Sequence, residues 1–125
     1  MKNSVKKEIE KLIKELELNC SIKEFPNKVN FYNITEYQDL SEDFIRKFQD
    51  KFDEDCWIEI SYGQDLSEEF IREFQDKVDW YWISKNQNLS EEFIIEFRNK
   101  IDWNRLRLND QVKNNYINKL ETRKN

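Results

Sequence analysis

The sequence predicts an α/β solenoid, a short array of strand-helix units that stack because no unit can bury its apolar face alone. Three observations predict it. The block Leu40 to Phe48 (Leu-Ser-Glu-Asp-Phe-Ile-Arg-Lys-Phe) returns almost unchanged as Leu66 to Phe74 and again as Leu89 to Phe97, giving one period of 26 residues and one of 23. Between these blocks runs a second shared segment, Lys77-Val78-Asp79-Trp80 with Ile83-Ser84 and Gln87. It matches Lys28-Val29-Asn30-Phe31 with Ile34-Thr35 and Gln38, and Lys100-Ile101-Asp102-Trp103 with Leu106. Aromatic residues make up 14% of the 125-residue chain, which argues for a packed core although 38% of residues are charged. The whole chain, 1–125, reads as a single repeat domain with no linker.

Taken in order, residues 1–18 form an N-terminal cap, with a helix over 3–18. Charged and apolar residues are interleaved there, so the segment is neither a signal peptide nor a membrane span. Repeats of 23–26 residues fill 19–110. Ile22 and Phe25 occupy the places of Ile45 and Phe48, and Pro26 directly after Phe25 fits a helix ending there.

The conserved-looking block is the helix of each unit. Ser90 is the expected N-cap, Glu91 and Glu92 favour the positive end of the helix dipole, and Leu89 can close on Ile94 as a hydrophobic staple. The second segment reads first as a strand. Tyr32/Ile34, Ile58/Ile60, Tyr81/Ile83 and Asn104/Leu106 then share one face, with β-forming residues throughout. The stated rival is a short helix capped by Asp79, with Val78 and Ile83 as a second staple, which would make the chain an all-α solenoid of helix pairs. Three extra residues precede Trp57, and Asp53, Glu54 and Asp55 read as a solvated acidic loop without the ordered ligands of a calcium site. Val112, Tyr116, Ile117 and Leu120 keep the skeleton of an eroded fourth copy, within a C-terminal capping helix over 111–121 and a tail that completes 111–125.

Composition narrows the chemistry. There is no His, which removes Ser-His-Asp and Cys-His catalysis and every His metal site, and a single Gly removes phosphate-cradling loops. No enzyme activity and no cofactor are expected. Cys20 and Cys56 are the only cysteines and suggest a reducing, cytoplasmic setting rather than a disulfide scaffold. With 26 acidic against 21 basic residues, the net charge of −5 disfavours direct binding to nucleic acid or to an anionic membrane.

The unit apolar-x-x-apolar-x-apolar followed by Leu-Ser-Glu-x-x-Ile-x-x-Phe resembles a leucine-rich repeat of the cysteine-containing kind. Val78, Tyr81, Ile83, Leu89, Ser90, Glu91, Ile94 and Phe97 fall on its positions, although the ladder Cys and the regular Asn are missing and Trp80 and Trp103 recur where that family varies. The block Asp-Trp-x-x-Ile-Ser-x-x-Gln-x-Leu-Ser-Glu-Glu-Phe-Ile is also similar to tandem repeats in proteins of AT-rich viruses, phages and bacteria. These resemblances imply a repeat protein and bring no catalytic residues with them.

In the strand reading the opposite sheet face carries Phe31, Asn33, Trp57, Glu59, Trp80, Trp82, Trp103 and Arg105, the candidate partner-binding residues. In the helical reading the large aromatics fill the core instead. Glu42, Asp43, Glu68, Glu69, Glu91 and Glu92 would stack as an acidic ridge, with ordinary first-turn helix acids as the plainer account. The expected function is therefore a non-catalytic module that binds another protein through an exposed solenoid face. The alternative is a phage-type counter-defence inhibitor, anti-CRISPR-like, that occupies the binding surface of a host nucleic-acid effector.

Overall fold

The computed structural model describes residues 1–112 and 114–121, without the side chains of 114–116 and 121. The regular structure of these residues is entirely helical: α1 (Asn3–Glu15), α2 (Phe25–Lys28), α3 (Phe31–Tyr37), α4 (Glu42–Lys47), α5 (Glu54–Gly63), α6 (Glu68–Glu73), α7 (Trp80–Asn86), α8 (Glu91–Glu96), α9 (Trp103–Leu106) and α10 (Asn114–Glu121), with a 3₁₀ turn at Gln49–Lys51. The α/β strand-helix solenoid and its leucine-rich-repeat likeness are thereby overturned, and the rival array of short helix pairs is the architecture.

The reason lies in one residue per unit. Asn30, Asp53, Asp79 and Asp102 are extended, and each side chain accepts the backbone N–H three residues on, at Asn33 (3.0 Å), Cys56 (2.9 Å), Trp82 (3.2 Å) and Arg105 (3.2 Å). An Asx cap of this kind supplies a partner to an otherwise orphaned donor and starts a helix, whatever the β-propensity of the Trp, Tyr and Ile that follow. The buried positions then recur at spacings of three and four: Trp57, Ile60, Ser61 and Gln64 in α5 and its cap, and Ile83, Ser84 and Gln87 in α7 and its cap. The acidic segment before Trp57 is not a loop. Asp53 is the cap and Glu54 and Asp55 the first turn of α5, which has ten residues against seven in α7. The insertion adds about one turn at the N-terminal end and leaves the core register untouched.

The second helix of each unit starts where the sequence places it. Ser41, Ser67 and Ser90 accept the N–H groups of Phe44, Phe70 and Phe93 at 3.0 to 3.1 Å. Leu40/Ile45, Leu66/Ile71 and Leu89/Ile94 are all buried, as staples require. Six-residue helices do not persist alone in water, so packing must hold them. Helices α3, α5, α7 and α9 lie side by side as one row, each touching the next. Helices α4, α6 and α8 form the other row. Phe25, Phe44, Phe70 and Phe93 are wholly buried between the rows, each contributing about 1.5–3 kcal/mol of transfer free energy. Trp57 packs on Phe70 and Phe74, and one unit later Trp80 packs in the same way on Phe93 and Phe97.

Three polar ladders run from unit to unit. In the first, a buried carboxamide reads the preceding loop: Gln64 accepts from the N–H of Leu40 and donates to the carbonyls of Thr35 and Gln38. Gln87 does the same to Leu66, Ser61 and Gln64, and Asn109 donates to the carbonyls of Ser84 and Gln87. In the second, the hydroxyls of Ser61 and Ser84 accept the N–H groups of Asp79 and Asp102, both at 2.9 Å. In the third, carboxylates of one unit grip the serine cap of the next, Glu8 at Ser41, Glu42 at Ser67 and Glu68 at Ser90. Helix α1 supplies Glu8 and packs Val5, Ile9 and Leu12 into the core, so it serves as a carboxylate-bearing member of the second row.

The ends differ from expectation. Helix α1 stops at Glu15 rather than at 18, closed by a Schellman pair in which the N–H of Leu18 bonds the carbonyl of Ile13 and that of Glu17 bonds Lys14. Glu17 takes the left-handed position, φ 53°, that glycine usually fills. Residues 21–24 are a turn tied by a reciprocal capping box between Ser21 and Glu24, and Pro26 stands near the start of α2 rather than behind a helix end. Helix α10 begins at Asn114, not at 111; Val112, Ile117 and Leu120 are buried as the eroded copy requires. The side chain of Tyr116 and residues 122–125 of the expected tail lie outside the described residues.

Candidate protein-binding face

Each core aromatic of the first row (Phe31, Trp57, Trp80 and Trp103) fixes what its helix shows outward. Residues three and four further on turn mostly inward, so those one, two and five further on face away. The outer face therefore carries Tyr32, Asn33 and Glu36 on α3, Ile58, Glu59 and Tyr62 on α5, Tyr81, Trp82 and Lys85 on α7, and Asn104 and Arg105 on α9. Its centre is a connected aromatic cluster. Trp82 meets the edge of Tyr62 at 4.8 Å and that of Tyr81 at 4.8 Å between ring centroids. The Lys85 ammonium lies 5.2 Å from the Trp82 ring, and the Arg105 guanidinium 4.6 Å from the Tyr81 ring. Ile58, Glu59, Tyr62 and Trp82 line a depression of about 260 Å³.

Charge is graded along this face. Glu36 and Glu59 flank Tyr32 at one end, where the Tyr32 hydroxyl donates to Glu59 at 3.4 Å. The field of Glu36, with burial and Glu59 behind it, pushes the Tyr32 phenol above its ordinary range; Tyr37 is raised by its hydrogen bond to Glu36. Lys85 and Arg105 stand at the other end. Tyrosine rings with mobile hydroxyls, a half-exposed tryptophan and cations over aromatic faces are the residue types that dominate protein contact energetics.

The sequence-derived candidates divide evenly. Asn33, Glu59, Trp82 and Arg105 lie on the outer face. Trp57 is 4% exposed and belongs to the core, and Phe31, Trp80 and Trp103 are packed against it. The indole N–H groups of Trp80 and Trp103 donate to the carbonyls of Gln75 (2.9 Å) and Arg98 (3.1 Å), which anchors both rings to their neighbouring helix ends. The continuous aromatic stripe is thus replaced by a shorter cluster. Tyr32, Tyr62, Tyr81 and Lys85 were missed because a strand register turns Tyr32 and Tyr81 inward; the recurring Asx cap was the signal that would have placed them.

The six acids of the expected ridge stand in the first turns of α4, α6 and α8, and four of them are engaged in internal contacts. Glu42 and Glu68 are spent on serine caps, Asp43 pairs with Lys2 and Arg46 (both 3.1 Å), and Glu91 stands 3.8 Å from Lys119. Only Glu69 and Glu92 of the six are exposed. Arg46 to Glu73 and Arg72 to Glu96, both 2.8 Å, put cations between the remaining acids.

Both cysteines are free thiols. Cys56 is buried, and desolvation, with Asp53 adding to it, pushes its thiol up to about 11. Among the described residues no cluster of three or more His, Cys, Asp or Glu could hold a metal ion, and no helix is long and apolar enough to cross a membrane.

Comparison with family models, curated proteins and solved structures returns no match. The viral, phage and anti-CRISPR associations expected from the sequence find no support there.

Proposed function

We propose that this protein is a non-catalytic repeat module that binds another protein through the outer face of its first helix row. The observation that supports this most is the cluster of Tyr62, Tyr81 and Trp82, held rigid by contacts between adjacent units and left open to solvent on one side. A rigid aromatic surface loses little conformational entropy on binding, which is where affinity is usually lost. The graded charge, acidic at Glu36 and Glu59 and basic at Lys85 and Arg105, would set the direction in which a partner lies. The chain has no histidine, and the Cys56 thiol, pushed up to about 11 by burial, is a poor nucleophile at neutral pH.

The test is quantitative co-purification from the native cell with the parent protein, Trp82→Ala, Tyr62→Ala and Glu92→Lys. A partner of this face is retained by the parent and by Glu92→Lys and lost from both aromatic variants. Retention by all four, or loss from Glu92→Lys alone, would remove the face from consideration.

A further inference from the structure

We infer that the depression between α5 and α7 on the outer face receives an arginine side chain of the partner, carried on a basic segment that lies across α5 and α3. The inference rests on the outer face being the binding surface proposed above. Ile58, Glu59, Tyr62 and Trp82 line the depression, and of these Glu59 alone is charged. Ile58 and the two rings offer an apolar wall to an aliphatic stem, and the carboxylate offers two acceptors to a planar guanidinium. The Lys85 ammonium already stands 5.2 Å from the Trp82 ring centroid. The incoming cation is therefore met by the carboxylate, and the Trp82 ring packs on its stem.

The charge of the surroundings argues for this occupant. Helices α3 and α5 carry Glu36, Glu54, Asp55 and Glu59 and neither a Lys nor an Arg, although the chain has 21 such residues. None of these carboxylates makes an ion pair among the described residues, whereas Asp43, Glu73, Glu91 and Glu96 of the second row all do. Glu54 and Asp55 are accounted for locally, since the first turn of α5 favours acids. Glu36 and Glu59 are not. Glu36 stands in the last turn of α3, where the helix dipole disfavours a carboxylate and no basic residue offsets it. Glu59 stands in the middle of α5 and holds the 3.4 Å hydrogen bond from Tyr32. Both act to raise the phenols of Tyr32 and Tyr37, so two like charges share this end of the face. A basic segment is the complement of such an end. Lys85 and Arg105 repel the same segment at the other end, which directs it from Trp82 over α5 toward α3.

The probe is an acetylated and amidated peptide, Gly-Arg-Leu-Arg-Ser-Arg-Gly, titrated into the ¹⁵N-labelled full-length protein. Shifts are expected at the Trp82 indole N–H and at the amides of 55–62, with an affinity that falls as salt is raised. Replacing the arginines by norleucine or by glutamate should abolish binding at millimolar peptide. Glu59→Gln should weaken the arginine peptide about fivefold, as the loss of one partly exposed ion pair does, and Glu92→Gln, outside the face, should leave it unchanged. Absence of binding at millimolar peptide, equal affinity for the norleucine peptide, shifts spread over α6 and α8, or equal affinities of the Glu59→Gln and Glu92→Gln proteins would each overturn the inference. The outer face is judged separately, by co-purification. If one of those results is found while Trp82→Ala still loses its partner, the face stands and its occupant is not basic. Retention of the partner by Trp82→Ala removes the face itself, and this inference with it.

Discussion

Glu42 of one unit accepts both the backbone N–H of Ser67, at 2.6 Å, and its hydroxyl, at 2.9 Å, while that hydroxyl oxygen accepts the N–H of Phe70. The cap of each helix is thus itself capped from the unit before. The same arrangement joins Glu68 to Ser90 and Phe93.

Removing the carboxylate should be costly at Glu68 and not at its sequence neighbour. Glu68→Ala is expected to lower stability by about 1.5–3 kcal/mol, the range for hydrogen bonds to a charged group. Glu69→Ala, exposed, should fall within about 0.5 kcal/mol of the parent. Urea unfolding of the two variants measures the difference, and equal midpoints would show that the ladder contributes nothing.

Gln87 leaves three backbone groups without a partner when truncated: the carbonyls of Ser61 and Gln64 and the N–H of Leu66. Gln87→Ala should therefore cost about 2–4 kcal/mol, and Gln87→Leu should recover little of it because the loss is polar and not steric. Gln38→Ala, which removes no such contact, should melt like the parent.

Trp80 and Ile83 share the inner face of α7, whereas Trp82 is half-exposed. Trp80→Ala and Ile83→Ala are each expected to cost about 2–5 kcal/mol. Trp82→Ala should cost about 1 kcal/mol or less, the value of its ring contacts. Thermal melts of the three variants suffice. A silent Trp80→Ala would restore the strand register.

Glu17 holds a left-handed backbone at the Schellman position of α1. Glu17→Gly should raise stability by about 0.5–1 kcal/mol, since the relief of the Cβ contact outweighs the greater freedom of glycine in the unfolded chain. A lowered denaturation midpoint would contradict this geometry.

Acid should loosen the array through its exposed carboxylates. Glu96 is held below its ordinary 4.5 by its hydrogen bonds to Arg72, and Asp43 below 3.8, first by its hydrogen bond to Lys2. A carboxyl whose folded pKa is depressed stabilises the fold fully above its unfolded value, and that contribution is lost as pH falls through the folded one. Melting temperatures should hold between about pH 7 and 5 and fall below about pH 4.5. Arg72→Met should flatten the fall, as measured by melts across the pH series.

The second-row helices were legible in the sequence because independent signals agreed: Ser90 as cap, Glu91 and Glu92 behind it, and Leu89 and Ile94 as a staple. The first-row helices were not, because over so few residues the two periods share positions. Ile83 is inward and Trp82 outward in both registers, and only Trp80 and Tyr81 distinguish them. Their aromatic side chains favour strands, yet the Asp79 cap and the packing of Trp80 on Phe93 and Phe97 decide otherwise. Asn33, Glu59, Trp82 and Arg105 lie on the outer face as the strand reading also places them, since they are outward in either register. The role of Gln64 and Gln87 could not be read from their recurrence, because each acts on the backbone of a different unit.

The carboxamides reach back to the unit before, while the hydroxyls and carboxylates reach forward to the unit after, so every unit shows one set of groups to one neighbour and a different, complementary set to the other. Such a contact is heterologous and does not close on itself, and nothing in it counts how many copies have been added. Duplicating 23 residues of the gene would add a unit whose rungs are already matched on both sides, and deleting 23 would leave matched ends to rejoin. The array is therefore a form that gene duplication can lengthen or shorten without redesigning any contact.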